Sequence, residues 1–128
     1  MTQRTTITQH ERAPWSTGQL GEELACRFLV ERGYRILDRN CWLPGGEIDI
    51  VATRDGIVSA IEVKTRSTDS SGSALSAITP AKAIRVRRLL LTWARRNTGL
   101  GQRLRVEGIA LTLRPGREAR IQHLVGIA

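Results

Sequence analysis

The chain has 128 residues, about one domain's length, with 41% hydrophobic and 25% charged residues, and a chain of this size can bury roughly two thirds of its unfolded surface around one core. No apolar run approaches the ~20 residues that a membrane helix needs, which argues against a membrane partner. Twenty basic residues against twelve acidic ones give a net charge of +8, and because Lys64 and Lys82 are the only lysines, 18 of the basic residues are arginine. Arginine forks onto phosphate oxygens, so nucleic acid is the expected partner. The alternative is a basic surface that serves solubility alone.

Met1 to Pro14 is polar, with Arg4, His10, Glu11 and Arg12 and no apolar segment. It reads as a flexible N-terminal tail rather than a signal peptide, and residues 15–128 read as a single cytoplasmic domain. Cys26 and Cys41 read as reduced thiols, and with only His10 and His123 for company they make no structural zinc set.

Ser16 is a good helix N-cap with Gln19 as its capping-box partner, and Gly33 is a left-handed stop, so a first helix is predicted between them. Its apolar face carries Leu20, Leu24, Ala25, Phe28 and Leu29, and Glu22 falls within that arc, where an acid needs a reason. Tyr34–Asp38 is expected to be a short strand and Asn40–Gly46 a turn built on Pro44-Gly45-Gly46. Glu47–Ala52 and Ile57–Thr65 read as strands joined by the hairpin signal Asp55-Gly56. The serine- and glycine-rich stretch Ser67–Ser76 reads as a loop. Thr79 and Pro80 open a second helix that continues through Leu89, Leu90, Trp93 and Ala94 and stops near Asn97 to Gly99. Leu104–Leu113 and Ile121–Val125 supply one or two further strands. The order of helix, three strands, helix and strands predicts an α/β fold with a mixed central β-sheet flanked by helices.

A two-residue loop at Asp55-Gly56 would set Asp49 opposite Glu62 and Glu47 opposite Lys64. Alternation then puts Glu47, Asp49, Glu62 and Lys64 on one face and Ile48, Ile50, Ile61 and Val63 on the other. Acids facing each other with Cβ atoms about 5 Å apart repel, and a hard divalent cation relieves them. Asp49 and Glu62 are therefore candidate metal ligands for Mg2+ or Mn2+. Lys64 is placed to steady a water or a developing phosphate charge. The same residues could instead form a solvated face of cross-strand ion pairs. On the second helix Lys82, Arg85 and Arg88, and on the strand Arg66, are candidate phosphate contacts, or else parts of a solvated face. Among the tryptophans, Trp93 reads as core, whereas Trp42 beside the glycine turn is the better candidate for contact with a base.

Gly21-Glu22-Glu23-Leu24-Ala25, Gly33-Tyr34-Arg35-Ile36-Leu37 with Asn40, Gly46-Glu47-Ile48-Asp49-Ile50-Val51, Glu62-Val63-Lys64-Thr65-Arg66 and Ile78-Thr79-Pro80-Ala81-Lys82 together resemble the YraN family. The resemblance covers about Gly18 to Val125. It implies a restriction-endonuclease-like fold similar to archaeal Holliday-junction resolvases, with Asp49 and Glu62 as metal-binding acids, Lys64 as the catalytic lysine and Glu22 as an additional catalytic acid. The chain departs from that pattern in the late strand, where relatives read an aromatic residue, Asp and valine and this chain has Val106-Glu107-Gly108. A glycine there is expected to weaken the strand or mark a bulge. The functional expectation is a magnesium- or manganese-dependent endonuclease that cleaves DNA phosphodiesters at branched or single-stranded structures. Its alternative is a nuclease fold that binds nucleic acid or a protein partner without cleaving. A homodimer is an arrangement that resolvase relatives adopt.

Overall fold

The computed structural model describes residues 15–67, 74–97 and 103–127. The tail 1–14 and most of the serine-rich loop lie outside these residues. Helix α1 spans Thr17–Glu31, strands β1, β2 and β3 span Arg35–Leu43, Gly46–Arg54 and Ile57–Ser67, helix α2 spans Pro80–Asn97, and β4 and β5 span Arg103–Leu113 and Arg120–Val125. A short 3-10 turn, Leu75–Ala77, precedes α2 and overlaps the end of the stretch read as loop. The five strands form one mixed sheet in the order β1-β2-β3-β4-β5, with β3 and β4 parallel and the other neighbours antiparallel. This is an α/β architecture, and among the described residues no helix is long and apolar enough to cross a membrane.

Local chemistry accounts for the ends of these elements. Ser16 Oγ accepts from Gln19 N at 3.2 Å while Gln19 Oε1 accepts from Ser16 N at 2.9 Å, the reciprocal capping box. Gly33 follows the helix at φ +88°. Thr79 Oγ1 accepts from Lys82 N at 3.3 Å at the start of α2. Asp55 and Gly56, at φ +54° and +76°, make the tight two-residue turn that fits the twist of a hairpin.

The sheet separates two cores. Toward α1, Leu24, Phe28 and Leu29 pack with Ile50, Ala52, Ile61, Ile109 and Leu111. Toward α2, Val86, Leu90 and Trp93 pack with Ile48, Val51, Ala60 and Val106.

Three expectations need correction. The first strand does not stop at Asp38 but runs to Leu43, so that the turn shrinks to Pro44-Gly45. It continues because a register shift between Ile36 and Asp38 and a left-handed Asn40, at φ +48°, absorb the irregularity without ending the ladder. Next, Ile48 does not share a face with Ile50 and Ile61, since it belongs to the α2-side core and they belong to the α1-side core. The change of face falls at Asp49, opposite the left-handed Asn40. Finally, Gly108 marks no bulge, because the β3–β4 register is unbroken from Ile57–Arg103 to Ser67–Leu113. A Cβ at Gly108 would stand 3.0 Å from Ile78 Cδ1, so the missing side chain makes room for the segment that leads into α2.

Candidate active site

The register predicted from the hairpin holds as far as Ile50–Ile61, and the two pairs expected beyond it, Asp49 opposite Glu62 and Glu47 opposite Lys64, are not part of the ladder. Beyond that pair β2 keeps its ladder with β1, through Cys41–Ile48 and Trp42–Glu47 to Leu43–Gly46. Asp49 stands at this junction and uses its side chain as a backbone acceptor, with Oδ2 taking the Val63 N–H at 2.9 Å. A carboxylate thus replaces a ladder carbonyl, and its other oxygen remains available for a ligand.

Beside Asp49 stand Glu22 and Glu47. One carboxylate oxygen from each of the three lies within 4.8 Å of the others. In the amide orientation that satisfies both of its ends, Asn40 donates to Glu47 Oε1 at 3.1 Å and to the two oxygens of Glu22 at 3.1 and 3.3 Å. Glu62 is not one of these three acids, but the charge of Asp49 acts on it, as do those of Lys64, Lys82 and Arg85. Arg85 also overhangs the hairpin turn, where a Cβ on Gly46 would meet its Nη2 at 3.4 Å.

These surroundings oppose ionisation of the acids. Burial, then the Asp49 charge, push Glu62 up to about 7, and Lys64 counteracts only part of this. Burial raises Glu22, with Asp49 and Glu47 adding to the effect. Burial also raises Asp49, although the Val63 N–H and Lys64 favour its charged form. The structure therefore brings Asp49, Glu22, Glu62 and Lys64 into one neighbourhood, and adds two residues that the sequence reading did not assign to the site. Alternation already sets Glu47 on one face with Asp49, though without a role, whereas Asn40 enters the sequence reading only as part of an expected turn and of the family resemblance. Arg66 lies further along β3, with its Nε buried and without a hydrogen-bond partner. Arg88 is exposed on α2, and Trp42 is exposed on β1 beside Glu47.

Glu22 reaches this cluster because α1 lies unusually close to β3. A Cβ on Gly21 would fall 1.8 Å from Thr65 Oγ1 and 2.9 Å from Thr65 Cβ. Rotation of the threonine clears the first clash but not the second. Gly21→Ala is expected to cost about 1–3 kcal/mol by overpacking and to pull Glu22 away from Asp49. Urea unfolding would measure the cost, Thr65→Ala in the same chain should recover part of it, and a Gly21→Ala protein as stable as the parent would contradict the close approach.

The raised acids also predict how the metal-free protein responds to pH. A group whose folded pKa lies above its unfolded value contributes stability that is complete below the unfolded pKa and is lost as pH rises through the folded one. For Glu62 that window runs from 4.5 to about 7. The melting temperature without divalent cations should therefore fall across this range, less so in Glu62→Gln, and Mg2+ or Mn2+ should raise it more at about pH 7.5 than at about pH 5. A cation effect equal at both pH values would contradict this reading.

Residues 21–111 match the family described as "Uncharacterised protein family UPF0102". A UPF0102 protein of Kineococcus radiotolerans is 41% identical over 120 residues, covering 93% of this chain and 98% of the relative. The chain belongs to the UPF0102 family. Other UPF0102 proteins include one of Renibacterium salmoninarum, 41% identical over 110 residues (86% of this chain and 93% of the relative), and one of Pelobacter propionicus, 43% identical over 112 residues (86% and 80%). The UPF0102 match begins at Gly21, the residue that lets α1 approach Thr65, and takes in every residue of the acid cluster together with Lys64, Lys82 and Arg85.

Proposed function

We propose that this UPF0102 protein is a Mg2+- or Mn2+-dependent endonuclease with a restriction-endonuclease-like fold, hydrolysing DNA phosphodiester bonds. One observation carries the reading: Asp49 gathers with Glu22 and Glu47 within 4.8 Å, and its charge acts on Glu62 together with those of Lys64, Lys82 and Arg85. An all-oxygen set of acids held against their mutual repulsion suits a hard divalent cation. Asp49 and Glu62 would hold it, with Glu22 and Glu47 completing the negative surroundings. Such an ion supplies Lewis-acid stabilisation of the phosphoryl oxygens and a lowered pKa for bound water.

The chain's own side chains divide the remaining work. Lys64 donates to a phosphate oxygen or to the attacking water and offsets the charge that develops on phosphorus. Lys82 and Arg85 seat the phosphate backbone without reading bases, and Arg66 and Arg88 extend the positive track. Val63 N–H holds one oxygen of Asp49, which orients the carboxylate before substrate arrives. The motifs shared with the YraN family support the same assignment.

The test is a cleavage panel of linear, flapped, gapped and four-way DNA with Mg2+ or Mn2+. Metal-dependent cutting that disappears in Asp49→Ala and Lys64→Ala, while binding survives, is the expected result. Binding without cutting on every substrate would replace the enzyme with a non-catalytic module on the same fold. Affinity that does not fall with salt would remove the phosphate track itself.

A further inference from the structure

The β1–β2 hairpin presents an indole to solvent. Cys41 and Leu43 pack toward the α2-side core, so Trp42 between them points from the opposite side of the strand, where it is 74% exposed. Trp93, by contrast, is buried with its Nε1 donating to Asp38 Oδ2 at 3.0 Å. An aromatic side chain left in water on a well-formed strand forfeits a large burial gain, and indoles so placed are common contact residues.

Its position gives the contact a chemistry. Trp42 pairs directly with Glu47 in the β1–β2 ladder, and Glu47 is one of the three clustered acids. Residues paired in this way hold their Cβ atoms about 5 Å apart on one face, so the indole stands at the rim of the acid cluster. The charges of Lys64, Lys82 and Arg85 act on Glu62, which the Asp49 charge also reaches. A phosphate bound beside Asp49 would bring its adjoining nucleotide to the rim where Trp42 stands. A base can lie flat on an indole only after leaving the duplex stack.

We propose that Trp42 is the stacking platform for an unpaired base next to the scissile phosphate. The preferred substrate is then nucleic acid that is single-stranded at the cut, such as a free strand or the arm of a flap. This specificity rests on the nuclease reading above, and the experiment separates the two. Fluorescein-labelled single-stranded DNA and a blunt duplex of equal length are titrated in EDTA with the parent protein, Trp42→Ala and Trp42→Phe, and cleavage of both is then followed with Mn2+. Trp42→Ala should weaken single-strand binding roughly 5- to 150-fold, the range of base–aromatic stacking. It should leave duplex binding unchanged, and Trp42→Phe should retain most of the single-strand affinity. Equal losses on both DNAs, or no loss on either, would overturn the platform while leaving the nuclease intact. A parent protein that binds neither DNA would overturn both.

Discussion

Asp49→Asn is expected to abolish metal-dependent cleavage and yet yield a more stable protein in the absence of metal. The activity loss should be at least about 10²–10³-fold, the scale on which removal of one preorganised electrostatic group acts, because Asp49 is the acid common to both halves of the site. The stability gain follows from the opposing terms at the same carboxylate. Its burial and the neighbouring Glu47 charge work against ionisation, and it in turn raises Glu22 and Glu62. Asparagine removes the charge but keeps an oxygen for the Val63 N–H. Alanine removes both, and leaving that part-buried donor without a partner costs up to about 1–3 kcal/mol, so Asp49→Ala should be less stable than Asp49→Asn. Urea unfolding of the three proteins in EDTA gives the order, and calorimetric titration with Mn2+ should show binding only in the parent. An Asp49→Asn protein that still cuts DNA, or one less stable than the parent without metal, would remove Asp49 from the centre of the site.

Much of this arrangement could be read in the sequence because a few residues leave the chain little freedom. Asp55-Gly56 demands left-handed backbone at two successive positions, and once the loop has two residues the register back to Ile50–Ile61 follows by counting. Ser16 with Gln19, and Thr79 before Pro80, define helix starts by chemistry confined to one turn. What escaped the reading depends on contacts between distant segments. Strict alternation fails at Asp49 because Asn40, nine residues earlier, takes a left-handed conformation that its residue type allows but does not require. The close approach of α1 to β3 needs both Gly21 and Thr65, and neither announces the other. As a result Asp49, Glu47 and Glu62 were legible as neighbours, whereas the approach of Glu22 to Asp49 followed from the family resemblance and not from spacing.

The late-strand departure in Val106-Glu107-Gly108 is the clearest case of a feature that only tertiary structure explains. Glu107 is fully buried, yet four donor atoms converge on its carboxylate. Tyr34 Oη donates to Oε1 at 2.8 Å, and Arg105 donates to Oε2 through Nε at 3.2 Å and Nη2 at 3.1 Å. His123 Nε2 lies 2.6 Å from Oε1, and facing an ionised acceptor it must carry the proton. Burial alone would push this acid up, but the bonds from His123 and Tyr34 and the neighbouring Ser59 hydroxyl outweigh it and hold Glu107 at about 2. The sign is opposite to that of Glu62: stability from Glu107 is complete above the unfolded value of 4.5 and is lost as pH falls toward 2.

Glu107→Gln is therefore expected to cost about 3–5 kcal/mol near neutral pH, as removing one partner of a buried charge cluster does, and to flatten the acid limb of the stability profile. Tyr34→Phe, which removes one donor, should cost only about 0.5–1.5 kcal/mol. Because Glu107 ties β5 and the segment after α1 to β4 on the sheet face opposite Gly108, its loss should reduce the amount of folded protein rather than the cleavage rate per folded molecule. A Glu107→Gln protein that unfolds at the parent's urea midpoint at both about pH 7 and about pH 3.5 would show that the four donors confer no net stability.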